Sequence, residues 1–232
     1  METLNYIILG VCTIIAGILT AYFTYYYKRK NEKRRLKNIT TLHNFEIIND
    51  STDVLNTRLL PIIERLSLEG ETIEINNIGL DLETVIPWIN QKIIASKKNL
   101  IVEIKLKTLI IDDNSEFIKS IINGKSNIQS SVLHASMDIA QKIIQENYHN
   151  FTLEIKKYSS PPLIHGFIIN NEHLFLGFTE IVNKKLHGGV FPYLYLKKDN
   201  SSDLNKHYFN FFKSWFDYYW MNAESMNNNK KL

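Results

Sequence analysis

Residues 161–178 read PPLIHGFIINNEHLFLGF. Pro161 and Pro162 close off whatever strand precedes them, since proline cannot donate to a sheet ladder. LIHGFIIN and HLFLGF are short runs rich in β-branched and aromatic residues, which suit a pleated, half-buried surface. Between them stand Asn170 and Asn171, residue types that favour tight turns. The stretch therefore predicts two short strands joined by a turn, with His165 opening the first and Gly177 closing the second.

Working outward, strand and helix patterns alternate. ETIEINNIGL (71–80) alternates apolar and polar residues and reads as a strand. LETVIPWINQKIIASKK (82–98) reads as a helix with Asp81 as its N-cap. NLIVEIKLKTLIID (99–112) is a strand rich in β-branched residues. A short helix ending at Gly124 comes next. A longer one then offers Val132, Leu133, Ile139, Ile143 and Ile144 to a core. FTLEIKKYSS (151–160) and GVFPYLYLKK (189–198) are further strands, and an aromatic-rich helix closes the pattern. This alternation predicts an α/β class with one mixed sheet flanked by helices.

The amino-terminal part is of a different kind. Leu4 to Tyr27 reads LNYIILGVCTIIAGILTAYFTYYY and holds no charged residue. A bilayer needs about 20 apolar residues in a helix, so the run is long enough to span one. It ends in aromatic residues, among them Tyr25, Tyr26 and Tyr27, as an interfacial belt does. Lys28, Arg29, Lys30, Lys33, Arg34, Arg35 and Lys37 follow, and the positive-inside rule then places the amino terminus outside and the remainder in the cytoplasm. A cleaved signal peptide would carry its basic residues on the other side of the apolar run and a small-residue cleavage pattern after it. A buried core helix would not be so uniformly apolar beside so dense a basic cluster. Thr13, Gly17 and Ala21 recur at four-residue spacing, which suits close helix association. The basic cluster suits anionic headgroups, and equally serves as a topology signal.

The expected organisation is thus a transmembrane helix over 1–27, a basic juxtamembrane and helical stalk over 28–66, a cytoplasmic α/β domain over 67–222 and a disordered tail over 223–232. The stalk carries a rough helical stripe interrupted at Pro61. The chain has 232 residues, 44% hydrophobic, with a formal net charge of +3 and a single cysteine. Such apolar content excludes a mostly disordered chain, the lone cysteine excludes a disulfide framework or cysteine-rich zinc site, and the small charge gives no overall field toward nucleic acid.

The hairpin stretch, with its histidine opening one strand and its glycine closing the next, resembles the signature region of the phospholipase D-like superfamily. There a strand carrying HxKxxxxD is followed by a strand ending in a Gly-Ser-x-Asn type of segment. The order of elements upstream is similar to one half of that fold, over about residues 68 to 222, as also found in catalytically degenerate sensor domains of some bacterial helix-turn-helix regulators. The resemblance implies a histidine that attacks phosphorus, a lysine that holds the phosphoryl oxygens, and two such halves paired about a twofold axis. Here His165 is present, but Phe167 stands in place of the lysine, Glu172 in place of the aspartate, and Gly177 is followed by Phe178 and Thr179. Without its cation, such a site loses the means of stabilising charge on the equatorial oxygens. Lys156 or Lys157 would have to substitute, and a second copy of the chain would have to supply the other half.

His165, Glu172 and Thr179 are accordingly the expected ligand-binding residues. Three roles stay open for His165: a structural histidine bonded to neighbouring backbone, a ligand contact in a non-catalytic pocket, or a nucleophile. His134, His149, His173, His187 and His207 show no metal-ligand spacing. Asp112 and Asp113 end a strand, where ligands gather in α/β sheets, but helix capping by Asn114 or Ser115 accounts for that segment as well. Gly188 and Gly189 mark a turn without the GK[ST] of a phosphate loop. Neither a metal nor a cofactor is expected. Tyr208 to Trp220 cover more than one helix face, as a core helix with wet polar tips does or one resting on a membrane or partner.

Three functions compete on this reading. The first is a single-pass inner-membrane sensor or effector whose phospholipase D-like domain does not catalyse. Its layout resembles that of membrane effectors in bacterial anti-phage systems, including retron-associated ones, which perturb the inner membrane. The second is a membrane-bound phosphodiesterase or phospholipase active as a dimer, and the third a passive scaffold. Expected partners are the lipid bilayer, further copies of the chain, and either a defence-system protein or a nucleotide or nucleic-acid ligand, without stable DNA binding.

Overall fold

The computed structural model describes residues 27, 45–80, 82–96, 101–112, 115–117, 119, 130–182 and 185–225. The chain divides into two units, Met1–Asn44 and Phe45–Leu232, and every described residue but Tyr27 lies in the second. Tyr27 is helical and exposed.

Strand β1 (Phe45–Ile48) opens the second unit. Helix α1 follows over 51–68, as α-helix at Ser51–Asp53, π-helix at Val54–Leu59 and α-helix again at Leu60–Leu68. Asp50 caps it, its Oδ1 accepting from the Asp53 backbone N–H at 2.9 Å. Pro61 explains the change of winding. It has no N–H for an intrahelical bond, so the chain ahead of it widens where a bond is lost anyway. In the Leu60–Leu68 segment it sits in the first turn, where proline is tolerated. Strand β2 (Ile73–Ile78) comes next, then helix α2 over 85–94, which is α-helical at Val85–Ile89 and π-helical at Asn90–Ile94. The chain continues through β3 (Ile104–Ile111), α3 (Ser130–Glu146) and β4 (Phe151–Tyr158). The hairpin β5 (Ile164–Ile169) and β6 (His173–Phe178) turns on Asn170 and Asn171, with φ of 47° and 52°. These left-handed values match the twist of a tight hairpin and suit asparagine. A second small hairpin, β7 (Glu180–Val182) with β8 (Lys185–His187), precedes β9 (Tyr193–Lys197), α4 (Asp203–Asn222) and β10 (Glu224–Ser225).

Eight strands form one sheet in the order β1-β9-β6-β5-β2-β3-β4-β10. β2, β3 and β4 are parallel. Every other pairing is antiparallel, including β5 on β2. The parallel strands demand crossovers, and α2 and α3 supply them. Side chains of α1, α2 and α3 pack on one face of the sheet against Ile73, Ile75, Leu106, Leu153, Phe167 and Phe175. Phe209, Phe212, Phe216 and Tyr219 of α4 cover the other face, against Ile78, Leu109, Ile164, Leu174 and Leu176. The mixed sheet flanked by helices is thus present, and the aromatic closing helix is a core helix.

The structure moves the amino-terminal boundary of the domain. Residues 45–66 were expected in a stalk, yet β1 is an edge strand of the main sheet, paired Phe45 to Leu196 through Ile48 to Tyr193. Val54, Leu55, Leu59 and Ile63 of α1 are fully buried. The stripe expected for a stalk is a core face. The tail is shortened as well: Glu224 and Ser225 pair with Lys157 and Lys156 of β4. Among the described residues no helix is long and apolar enough to cross a membrane. The span expected over 1–27 lies outside those residues except for Tyr27, as do Thr13, Gly17, Ala21, Tyr25, Tyr26, Lys28, Arg29 and Lys30. Asp81, Asp113, Asn114 and most of the short helix ending at Gly124 lie outside them too.

Candidate functional site

A cavity of about 450 Å³ opens at the carboxyl end of β2, the end of a parallel strand where α/β sheets hold their ligands. Its size is within the usual range for small-molecule sites. Asp50, Ser51 and Thr52 come from the head of α1, Ile78 to Leu80 from the end of β2, and Glu83, Thr84 and Val85 from the head of α2. β5 contributes His165, Gly166 and Phe167. Leu186 and His187 of β8, the turn at Gly188 to Val190, and Tyr193 complete the wall. The turn is tied to α1, since the Ser51 N–H donates to the Gly189 carbonyl at 2.8 Å.

His165 is the buried centre of this wall, 3% exposed. Its ring meets Tyr193 edge-on at 4.9 Å and lies beside Gly177 and Gly188, neither of which has a side chain to displace it. Nδ1 is 3.3 Å from Thr179 Oγ1. Nε2 is buried without a hydrogen-bond partner. Burial pulls the imidazole pKa down to about 4, partly offset by a hydrogen bond with the Gly188 backbone. A bond that favours the protonated ring is one that the ring donates. With Nε2 unpartnered, Nδ1 is the donor, and Nε2 keeps its lone pair.

A buried polar chain fixes the strand beneath. Thr108 Oγ1 donates to Asn77 Oδ1 at 2.6 Å, and Asn77 Nδ2 donates to the Gly166 carbonyl at 2.8 Å. Gly166 has φ of +141°, and a Cβ there would lie 1.9 Å from the Phe175 carbonyl oxygen. Only glycine fits. The amide of Asn77 thus sets the backbone next to His165.

The expected trio is only partly assembled. Thr179 is brought to His165. Glu172 sits in the turn at the far end of the hairpin, where its N–H donates to the Ile169 carbonyl and its carbonyl accepts from Lys198 N–H. With His165 opposite Gly177 and Ile169 opposite His173, the two ends are separated by the strand's length. Neither Glu172 nor any lysine is among the described residues of the cavity wall. Lys156, one of the two lysines expected to stand in for the motif cation, is engaged elsewhere. Its Nζ donates to the Trp220 carbonyl at 2.8 Å and lies 4.7 Å from that ring's centroid, on the α4 side of the sheet. Phe167, at the lysine position, is core. Among the described residues no group of three or more histidines, cysteines, aspartates and glutamates is placed to hold a metal ion.

Several wall residues escaped the reading of the sequence. Asn77 left a signal, being a poor strand former at the place where the alternation of Ile73 and Ile75 calls for another apolar residue. Asp50, Ser51 and Glu83 left none, because only the tertiary fold carries the heads of α1 and α2 to β5. The burial of a second histidine left no sequence signal either: His173 Nδ1 is 2.9 Å from Tyr195 Oη, and Arg65 donates to its Nε2 at 3.4 Å.

No family model and no curated protein matches the chain. Among solved structures it is similar to TrmBL2, an archaeal chromatin protein with a novel mode of DNA binding, at 16% identity over 86% of this chain and 63% of that one, with a TM-score of 0.44. The chain therefore spans less than two thirds of that protein. It is also similar to Nuc from Salmonella typhimurium, a phospholipase D family member, at 12% identity over 78% of this chain and 97% of that one, with a TM-score of 0.38. NucT from Helicobacter pylori overlaps at 12% identity, 78% and 98% coverage, and a TM-score of 0.36. Likeness this loose assigns no activity.

Proposed function

We propose that this chain is a single-pass inner-membrane protein whose cytoplasmic domain, a phospholipase D-like half without its catalytic cation, binds a ligand over His165 and acts as a sensor or effector. The observation that carries this reading is the make-up of the cavity wall. A buried histidine lies on a pocket of small-molecule size, and no lysine or arginine is among the described residues around it. Phosphoryl transfer depends on cations at the equatorial oxygens, so the wall supports binding rather than hydrolysis. The uncharged run at 4–27 and the basic cluster after it support the anchor. Ligand binding would change how the membrane helices associate, and in an anti-phage setting would perturb the inner membrane. Inducible expression of the full chain and of a form lacking residues 1–27, following growth and dye entry, tests this. Arrest with the full chain and none with the shortened form is expected. Harmless expression of both would favour a passive scaffold instead.

One observation favours a second reading, a phosphodiesterase active as a dimer. Nε2 of His165 is unpartnered while Nδ1 donates, the tautomer a nucleophilic histidine needs. Hydrolysis of a lipid or nucleic-acid phosphodiester by purified protein, abolished by His165→Ala, would establish it. The first reading expects no turnover.

A further inference from the structure

We infer that the outer stripe of α4 is the docking seam for α4 of a second copy of this chain, with the two helices antiparallel. Asn205, Phe209, Phe212, Phe216 and Tyr219 form one stripe of this helix, and it is buried on the sheet. Leu204, Tyr208, Phe211, Trp215, Tyr218 and Asn222 form a second, one position behind, at the same alternating intervals of four and three. That is the spacing of a seam between paired helices, whereas a helix resting on a sheet needs only one such stripe. The second stripe is left partly uncovered: Leu204 is 41% and Tyr218 54% exposed, and Tyr208, Phe211 and Trp215 are half-buried. Its rings are held in contact, Phe211 and Tyr218 lying 6.4 and 6.5 Å from Trp215, so little side-chain freedom is lost on docking. Lys213, on the opposite flank of the helix, shares a wall with Glu74 of β2 and Ile168 of β5. The seam therefore looks toward β6 and β9, where the ladder puts Phe178 and Leu194 on the α4 face, one exposed and the other half-buried.

Two observations choose the occupant. The stripe is its own complement: a twofold axis midway between Phe211 and Trp215 sets Phe211 against Trp215 and Tyr208 against Tyr218 across the pair, ring on ring, as an isologous dimer does. No charged residue falls on it. The charge on the rest of α4 argues against a bilayer. Asp203 and Lys206, paired at 3.2 Å, sum to zero with Lys213 and Asp217, whereas a helix lying on lipid is rich in lysine and arginine on its polar face. This is not the pairing that the superfamily resemblance implies. His165, in step with Phe167, points to the other face of the sheet, so the seam does not bring two histidines together and does not depend on the cavity.

The test uses the full-length chain in membrane vesicles, with Cys12→Ser throughout and one new cysteine at a time. Ser214 borders the seam beside the axis, and Lys206 lies on the far side of the helix. A short bismaleimide should link the Ser214→Cys protein into a dimer and leave the Lys206→Cys protein unlinked. Adding Tyr218→Lys or Trp215→Lys to Ser214→Cys should cut the linked fraction about tenfold, because each forces a charge into an apolar contact. Tyr218 is exposed in the single chain, so its variant should keep the melting temperature, which separates lost docking from a lost fold. Absence of a linked dimer, equal linking at both positions, or linking unmoved by both lysine variants overturns the inference. Quenching of a fluorophore on the Ser214→Cys protein by brominated lipid overturns it as well, since the stripe would then rest on a bilayer.

Discussion

His165 lies across the backbone of Gly177. The two residues are opposite each other in the β5–β6 ladder, and a Cβ on Gly177 would come within 2.2 Å of the imidazole Nε2. Gly177→Ala must therefore push a buried ring out of its seat. Overpacking of this kind costs about 1–3 kcal/mol, to be read from the shift in urea midpoint. The same variant should lose whatever ligand response depends on His165. Gly188→Ala, whose added carbon would meet Leu80 and the ring at 3.0 to 3.2 Å, should be milder in both measurements. Equal stability of Gly177→Ala and the parent would mean that the ring is loosely held.

The chain from Thr108 through Asn77 to Gly166 makes a sharper prediction. Asn77→Ala strands a buried hydroxyl and a buried carbonyl together, at about 1–3 kcal/mol for each group left unpaired. Thr108→Val removes one donor and leaves only the Asn77 Oδ1 wanting, so it should cost less. In the double variant the Thr108 hydroxyl is no longer present to be stranded. The two effects should then fall short of additivity by about 0.5 kcal/mol or more, as for residues in one network. Strict additivity in a double-mutant cycle would dissolve the network.

What the sequence disclosed and what it withheld follow from the range of the interactions. Period-two alternation in residues 71–80, the β-branched run in 99–112 and the Asn170–Asn171 turn are local, and β2, β3, β5 and β6 lie where those patterns put them. The burial of His165 could not be read, because it depends on Gly177, Gly188 and Tyr193 from other segments. Residues 51–66 misled for a physical reason. An amphipathic stripe looks the same on a stalk and on a core helix until its apolar face has a partner, and here the partner is the sheet. Phe167, which stands where the resemblance would put a lysine, is core and was legible as an apolar strand residue. That Lys156 is held by Trp220 on the opposite face was not.

Acid should weaken the fold through His165. Burial holds its folded pKa at about 4, below the ordinary value of 6.5, so between those values the unfolded chain binds more protons than the folded one. Stability contributed this way is complete above about pH 6.5 and falls as the pH drops toward 4, by about 3 kcal/mol at most. His173 acts in the same direction, its pKa lowered by burial and by the Arg65 guanidinium. Urea midpoints from pH 7.5 to 4.5 should decline, and His165→Asn should flatten part of that slope. An unchanged slope in the variant would place the acid sensitivity elsewhere.

The domain boundary can be tested by truncation. Val54, Leu55, Leu59, Ile63 and Leu66 of α1 are each no more than 2% exposed. Full burial of such a side chain is worth about 1.5–3 kcal/mol, so their joint loss approaches or exceeds the whole stability of an ordinary domain, about 5–15 kcal/mol. Removing β1 also bares an edge of β9, a site for unwanted strand pairing. A fragment beginning at Phe45 should unfold cooperatively in urea. One beginning at Ser67 should aggregate or show no cooperative transition, although it keeps the hairpin and the histidine. It would also lack Asp50, Ser51 and Thr52, and with them one side of the cavity. Cooperative unfolding of the shorter fragment would mean that α1 is an appendage, and the cavity wall would then have to be drawn without it.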